Sequence, residues 1–376
     1  MGILKFIGRT LVSVIMAFIH LAIFIAKMEW HFVQKYIRMV NDYTGDGTLG
    51  IDGGAKETHW AVRYPIRAIL WLFVPLVVLL VPVGFVATVI AIFVAIDQAT
   101  YPSFPVSNEF VTISDKNAEP TVAKVGSALL TATYHQMEVE MDSTSGWTPN
   151  DTLGLQAFDN RVNRQLGVRH ASIELLSVLV PNITKFGSVD AEDPRLTAAR
   201  QGGFSNDPLS SDFTSFPFIE TRYREGIDNI KSYQADVLAG KAGVHVNITN
   251  ANIATILDAI NNKVLEVPRG RLTSRNAEVS WFQLDDDVFF AQGAAIVARD
   301  ALVVLKNSYS AKITERGAME NLNQAIDSLD GVLKFHPWWI SRGDGDSMFA
   351  DHRSKLARYY SESIKRIGDV ADALRG

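Results

Sequence analysis

The sequence predicts an all-α protein, with one or more N-terminal transmembrane segments followed by a helical-bundle domain outside the cytoplasm. Three observations carry that prediction. An uncharged run of 29 residues stretches from Ala68 to Ile96. Downstream of it, apolar residues recur every three or four positions in stretch after stretch. Strand-like alternation is scarce there, and Gly243 to Ile248 (GVHVNI) is its best candidate.

Composition narrows the field of functions. The chain has 376 residues, 36 Lys and Arg against 41 Asp and Glu, and no cysteine. A net charge of -5 leaves no surplus of cations to neutralise phosphates, so a strongly basic nucleic-acid binder is excluded. The absence of cysteine excludes disulfide staples, thiolate metal sites and a cysteine nucleophile.

Residues 1–67 form the N-terminal part, a short apolar helix and a connector. The apolar run Thr10 to Ala26 holds 17 residues and includes His20. It is at the lower limit for spanning a bilayer. Two readings stand: a short spanning helix, or an amphipathic helix lying in the interface and continuing to Val40. No small-residue cleavage site follows it, so a removable signal peptide is not expected.

Residues 68–96 are the transmembrane helix. At about 1.5 Å per residue the run reaches roughly 43 Å, against a bilayer core of about 30 Å. Pro75 and Pro82 lie seven residues apart and predict a bend. The connector carries Lys27, Lys35, Arg38, Lys56, Arg63 and Arg67, whereas no Lys or Arg follows Ile96 until Lys116. That asymmetry puts the connector in the cytoplasm and the rest outside, which in a bacterium means the periplasm. Trp30, Trp60 and Trp71 suit headgroup depth.

Residues 97–118, with Pro102 and Pro105, read as an extended spacer. Residues 119–376 are the soluble domain. The first 96 residues contain eight Lys and Arg and five Asp and Glu, so 28 and 36 remain and the rest of the chain carries -8. Its first helix starts near Pro120 and turns Val122, Val125, Leu129 and Ala132 to one side. The second presents Val162, Leu166, Ile173, Leu176 and Leu179 and ends at Pro181 and Asn182. The third runs from Glu220 to about Leu238. The fourth begins near Asn250, carries Ile253, Ile256, Ile260 and Val264, and stops before Pro268. The fifth, Val288 to Leu305, is the most apolar and is expected at the centre of the bundle. A sixth covers Ala318 to Leu333. The last covers Ser354 to Leu374 and buries Leu356, Tyr360, Ile364, Ile367, Val370 and Leu374, leaving Lys355, Arg358, Lys365 and Arg366 to water.

Five stretches of this domain carry a resemblance. They are VGSALLTATYHQME from Val125, DNRVNRQLGVRHASIELL from Asp159, ETRYREGIDNIKSY from Glu220, WFQLDDDVFFAQGAA from Trp281 and MFADHRSKLARYYSESI from Met348. Together they resemble an uncharacterised family of proteobacterial membrane proteins, domain of unknown function twenty-three thirty-three. The resemblance implies an N-terminal anchor and a helical extracytoplasmic domain, and it brings no activity or catalytic residue with it. The apolar run and connector before Arg67 are additions to the single anchor of that pattern.

Several constellations invite a chemical reading. Asp285, Asp286 and Asp287 offer the clustered oxygens that hard cations want, but their place just before the most apolar helix favours capping of that helix, where negative charge meets its positive end. Gly343 to Asp346 (GDGD) reads as a turn. The eight histidines include no pair at helical spacing and no HExxH, so no metal and no cofactor is expected. Glu220, Glu225 and Asp228 alternate with Arg222 and Arg224 as intrahelical charge pairs. The best candidate for partner binding is the aromatic cluster between the last two helices, with His336, Trp338 and Trp339. Plugging the end of the bundle is the competing role. The expected partners are the lipid bilayer and other membrane or periplasmic proteins. The expected role is an accessory or scaffold subunit of an envelope complex. The alternative is an enzyme acting on an envelope polymer through carboxylates.

Overall fold

The computed structural model describes residues 120–143, 146–147, 159–184, 191–206, 218–273, 283–335 and 351–376, together with Lys27, His31, Gln34, Lys35 and Arg38. The chain divides into two compact units, Met1–Ala99 and Thr100–Gly376. In the first unit those five residues are helical. Their spacing places all five on one helical face, and four of them are exposed. The apolar run 10–26, the transmembrane helix 68–96 and the spacer 97–118 lie outside the described residues.

The second unit is helical throughout its described elements. In chain order these are α1 (Val122–Asp142), α2 (Asp159–Ile183), α3 (Pro194–Ala198), α4 (Phe218–Leu238), α5 (Asn250–Ala259), α6 (Glu266–Thr273), α7 (Gln283–Glu315), α8 (Met319–Leu333) and α9 (His352–Arg375). Two π-helical segments join them, Ala199–Phe204 after α3 and Ile260–Leu265 between α5 and α6. Local chemistry starts several of the helices. Thr121 accepts from the Lys124 N–H at 3.3 Å, Thr249 and Asn252 form a reciprocal capping box, and Asp351 accepts from the Ser354 N–H at 3.0 Å.

Helix α7 is the spindle of the bundle. Its most apolar stretch is long enough to cross a membrane, yet it is almost wholly buried inside the protein. From Ala294 to Leu302 the residues Ala294, Ala295, Ile296, Val297, Ala298, Ala301 and Leu302 are all fully buried. A helix apolar on every face needs neighbours on every side, and α1, α2, α6, α8 and α9 supply them. The tightest of these contacts is with α2. A Cβ on Gly167 would stand 2.0 Å from the Phe290 carbonyl oxygen, and one on Gly293 would stand 2.0 Å from that of Arg164. The two backbones therefore touch, and only glycine allows it. A second mutual glycine contact, Gly203 with Gly226, presses the first π segment onto α4.

Helices α8 and α9 close one side. The predicted stripe of α9 is buried at Leu356, Tyr360, Ile367, Val370 and Leu374, with Ile364 half-buried. Of its four expected outward cations, Arg366 is half-buried and bonds Glu362 and Asn321.

Four expectations need correction. Residues 243–248 form no strand: Gly243 closes a turn with a φ of 82°, and 244–248 have no regular secondary structure. Val244, Val246 and Ile248 do point to the core, as alternation requires, but they lie across helices, with Val246 over Gly126. The Asn247 N–H donates to the Ile183 carbonyl at 2.7 Å, so the segment finds a helix end in place of a neighbouring strand. Pro268 does not stop the helical run, because α6 follows the π segment without a break and continues to Thr273. Helix α2 continues to Ile183, two residues past Pro181. In the first half of α2, Val162 and Leu166 are only half-buried, while Arg161, Arg164 and Gln165 face inward.

Candidate functional site

Arg164, one of the inward arginines of α2, belongs to a polar seam between α1, α2, α7 and α8. Glu140 of α1 and Arg164 of α2 form an ion pair at 2.6 Å, and each side chain is 1% exposed. Gln165 donates to Glu140 Oε2 at 3.3 Å and to the Gly146 carbonyl at 2.9 Å. Gly146 has a φ of 63°, which makes the turn after α1. That turn is also held from α4, because the Trp147 N–H donates to Glu220 Oε1 at 2.5 Å. The Trp147 ring meets Tyr223 edge-on at 5.1 Å.

One turn back along α1, Gln136 donates to Asp300 Oδ2 of α7 at 2.8 Å. Asp300 is 1% exposed, and burial pushes its carboxyl up to about 7 against the opposing pull of Gln136 and Arg299. Arg299 in turn binds Asp330 of α8. The seam thus ties four helices through side chains that water barely reaches. Two turns back along α7, on the same side as Arg299, Gln292 donates to the carbonyls of Val332 at 3.1 Å and Phe335 at 2.6 Å, satisfying the open end of α8.

A second cluster gathers His170 of α2, Arg271 of α6, Phe290 and Asp287 of α7, and Arg353 of α9. The Arg271 guanidinium lies 3.7 Å from the centre of the Phe290 ring, and the His170 ring lies 5.6 Å from it. Burial, then the charge of Arg271, lower His170 to about 4, although a hydrogen bond to the Lys263 backbone opposes them. Lys263 belongs to the π segment, and Pro268 has no N–H to offer a carbonyl one wide turn behind it. Arg353 bridges Asp287 at 2.9 Å and the carbonyl of Arg271. Burial raises Asp287, opposed by Arg353 and Arg271.

The acidic triplet is found in this region. The triplet does not cap the helix, which already begins at Gln283; Asp285 and Asp286 occupy the first turn of α7, where their charge still meets its positive end. Their neighbours add a second role that spacing did not reveal, because Asp286 accepts from Asn163 at 2.5 Å and Asp287 pairs with Arg353. Among the described residues, no group of three or more His, Asp or Glu is placed to hold a metal ion.

The charges of α4 are only partly intrahelical. Arg222 pairs with Glu225 at 3.2 Å, but Arg224 reaches Asp142 at 2.8 Å and Glu220 holds the Trp147 turn. His336, Trp338 and Trp339 lie outside the described residues, as does the GDGD turn. The described edge of that cluster is Phe335, with the His352 ring at 5.2 Å and the Lys355 ammonium at 5.4 Å. Sequence reasoning missed the Glu140–Arg164 and Gln136–Asp300 pairs. Their only signal was polar residues on the helical faces that the apolar residues had already marked. No family model, curated protein or solved structure matches the chain.

Proposed function

We propose that this chain is a membrane-anchored helical subunit of a bacterial envelope complex, with its C-terminal domain in the periplasm and its anchor in the inner membrane. It serves as an accessory or scaffold and contributes no catalysis of its own. The observation that carries the reading is the uncharged run from Ala68 to Ile96, which water does not accommodate and a bilayer does. The cation-rich connector before it supports the orientation. The helical, mostly exposed face of Lys27, His31, Gln34, Lys35 and Arg38 adds a basic surface suited to anionic headgroups. A connector of about forty residues is too short for a catalytic output domain. The stretches that resemble domain of unknown function twenty-three thirty-three agree with this arrangement.

The buried charges also favour a scaffold. Glu140, Arg164, Arg299, Asp330, Asp287 and Arg353 are engaged from helix to helix. An enzyme working on an envelope polymer needs an acid that the polymer can touch. Asp300, the described carboxylate raised furthest, is 1% exposed. His336, Trp338 and Trp339 are the proposed contact with a protein partner.

The test is extraction of the full chain in gentle detergent through a tag at Gly376, at native abundance. A partner that co-purifies in fixed ratio, and is lost from Trp338→Ala and Trp339→Ala variants, agrees with the reading. Recovery of the chain alone defeats it. A reporter fused at Gly376 that is active only in the cytosol defeats the orientation.

A further inference from the structure

Asp300 occupies a position where an ionised carboxylate is poorly served. It lies deep in α7 and is 1% exposed. One neutral donor reaches it, Gln136 Nε2 at 2.8 Å. Arg299 on the same helix also favours the ionised form, by charge and hydrogen bond, but its Nη1 is 3.6 Å from Oδ1, its Nε is committed to Asp330, and burial outweighs it. Asp330 on α8 carries the same sign as Asp300 and repels it. From α1 the facing group is neutral Gln136, and Glu140 one turn along is held by Arg164 of α2. The other end of the Gln136 amide is also incomplete, since Oε1 is buried and has no donor. A buried anion short of donors and a buried carbonyl short of a donor are each costly. A single proton on the carboxyl group relieves both.

We propose that Asp300 and Gln136 form a proton-binding site in the core, an acid–amide pair that locks α1 to α7 and opens when the proton leaves. With the proton bound, the amide N–H donates to one carboxyl oxygen and the carboxyl O–H donates to the amide oxygen. Loss of the proton removes the second bond and leaves an anion. Arg299 is then drawn towards Asp300 and away from Asp330, so the grip of α7 on both α1 and α8 slackens. The proton goes to solvent, and no other group changes its covalent state. The raised acidity range of Asp300, at about 7, puts the change between mildly acid and neutral surroundings.

The sign is fixed by linkage. The folded chain binds a proton that the unfolded chain has released, so the contribution of Asp300 is complete at acid pH and falls as pH rises towards about 7. The full chain in mild detergent is compared with Asp300→Asn, which keeps the shape and the neutral state. Expected is a melting temperature that falls from about pH 5 to pH 8 in the wild type relative to the variant, together with faster amide exchange in α1 and α8 of the wild type only. Parallel pH profiles overturn the proposal. Infrared difference spectra of the wild type alone give an independent reading, whether or not the variant folds. A protonated-carboxyl stretch at about pH 6 that vanishes by about pH 9 supports the site, and its absence at about pH 6 sinks it.

Discussion

At the scale of single residues, the interior of this protein depends on a few buried charges and on the partners that hold them. Glu140 and Arg164 are each 1% exposed, so removing one partner strands the other without water. Glu140→Ala is expected to cost about 3–5 kcal/mol in urea unfolding, the range for breaking a buried pair. Glu225→Ala, which removes an exposed pair on α4, is expected to cost under about 1 kcal/mol. His170 supplies a pH prediction opposite in sign to that of Asp300. Its ring is held neutral when folded and protonates readily when unfolded, so its contribution is complete above about pH 6.5 and is lost as pH falls towards 4. Imidazole resonances in the folded full chain should show the His170 ring still neutral at about pH 5, and His170→Gln should remove that signal and flatten the acid side of the stability curve. A ring that titrates at an ordinary value in the folded chain contradicts this.

At the scale of elements, the close contact of α2 with α7 rests on two glycines. Gly167→Ala and Gly293→Ala each bring a methyl group to 2.0 Å from a carbonyl oxygen of the facing helix. Nothing flexible can give way there, so each should destabilise by more than about 3 kcal/mol or prevent folding, despite the gain of about 1 kcal/mol in helix propensity. Gly270, exposed on α6 with nothing near its missing Cβ, is the control. Gly270→Ala should stabilise by about 0.5–1 kcal/mol. Thermal unfolding of the three variants decides the matter, and equal effects would contradict the backbone contact. Much of this architecture was legible in the sequence because α1, α4, α8 and α9 follow ordinary amphipathic periodicity. What was not legible has physical causes. The front half of α2 turns arginines inward, and an apolar stripe does not disclose charges that are paired in three dimensions. Val244, Val246 and Ile248 alternate as a strand does, but alternation reports a buried face and not a neighbouring strand. The Gly167 and Gly293 contact depends on two positions far apart in the chain, and neither reveals the other.

For the whole molecule, the apolarity of α7 separates two accounts of how the protein meets a membrane. Its neighbours cover it, so its apolar surface is used inside the body. A chain of residues 119–376 is expected to stay monodisperse in detergent-free buffer with a cooperative melt, whereas the full chain needs detergent. A body that precipitates or partitions into vesicles contradicts this. The same helix poses a hazard before folding is complete. Under the proposed periplasmic placement, residues 285–315 leave the translocation channel before α8 and α9 emerge, and the insertion machinery meets a segment apolar enough to be passed sideways into lipid. Arg299 and Asp300 lie at the middle of that segment, where each charged side chain adds about 2.5–3.5 kcal/mol to lateral entry. Under that placement, the pair that joins three helices in the finished fold also opposes lateral entry during export. Arg299→Leu combined with Asp300→Leu is expected to strand the nascent chain in the bilayer, with residues after Glu315 on the wrong side and sensitive to a protease added there.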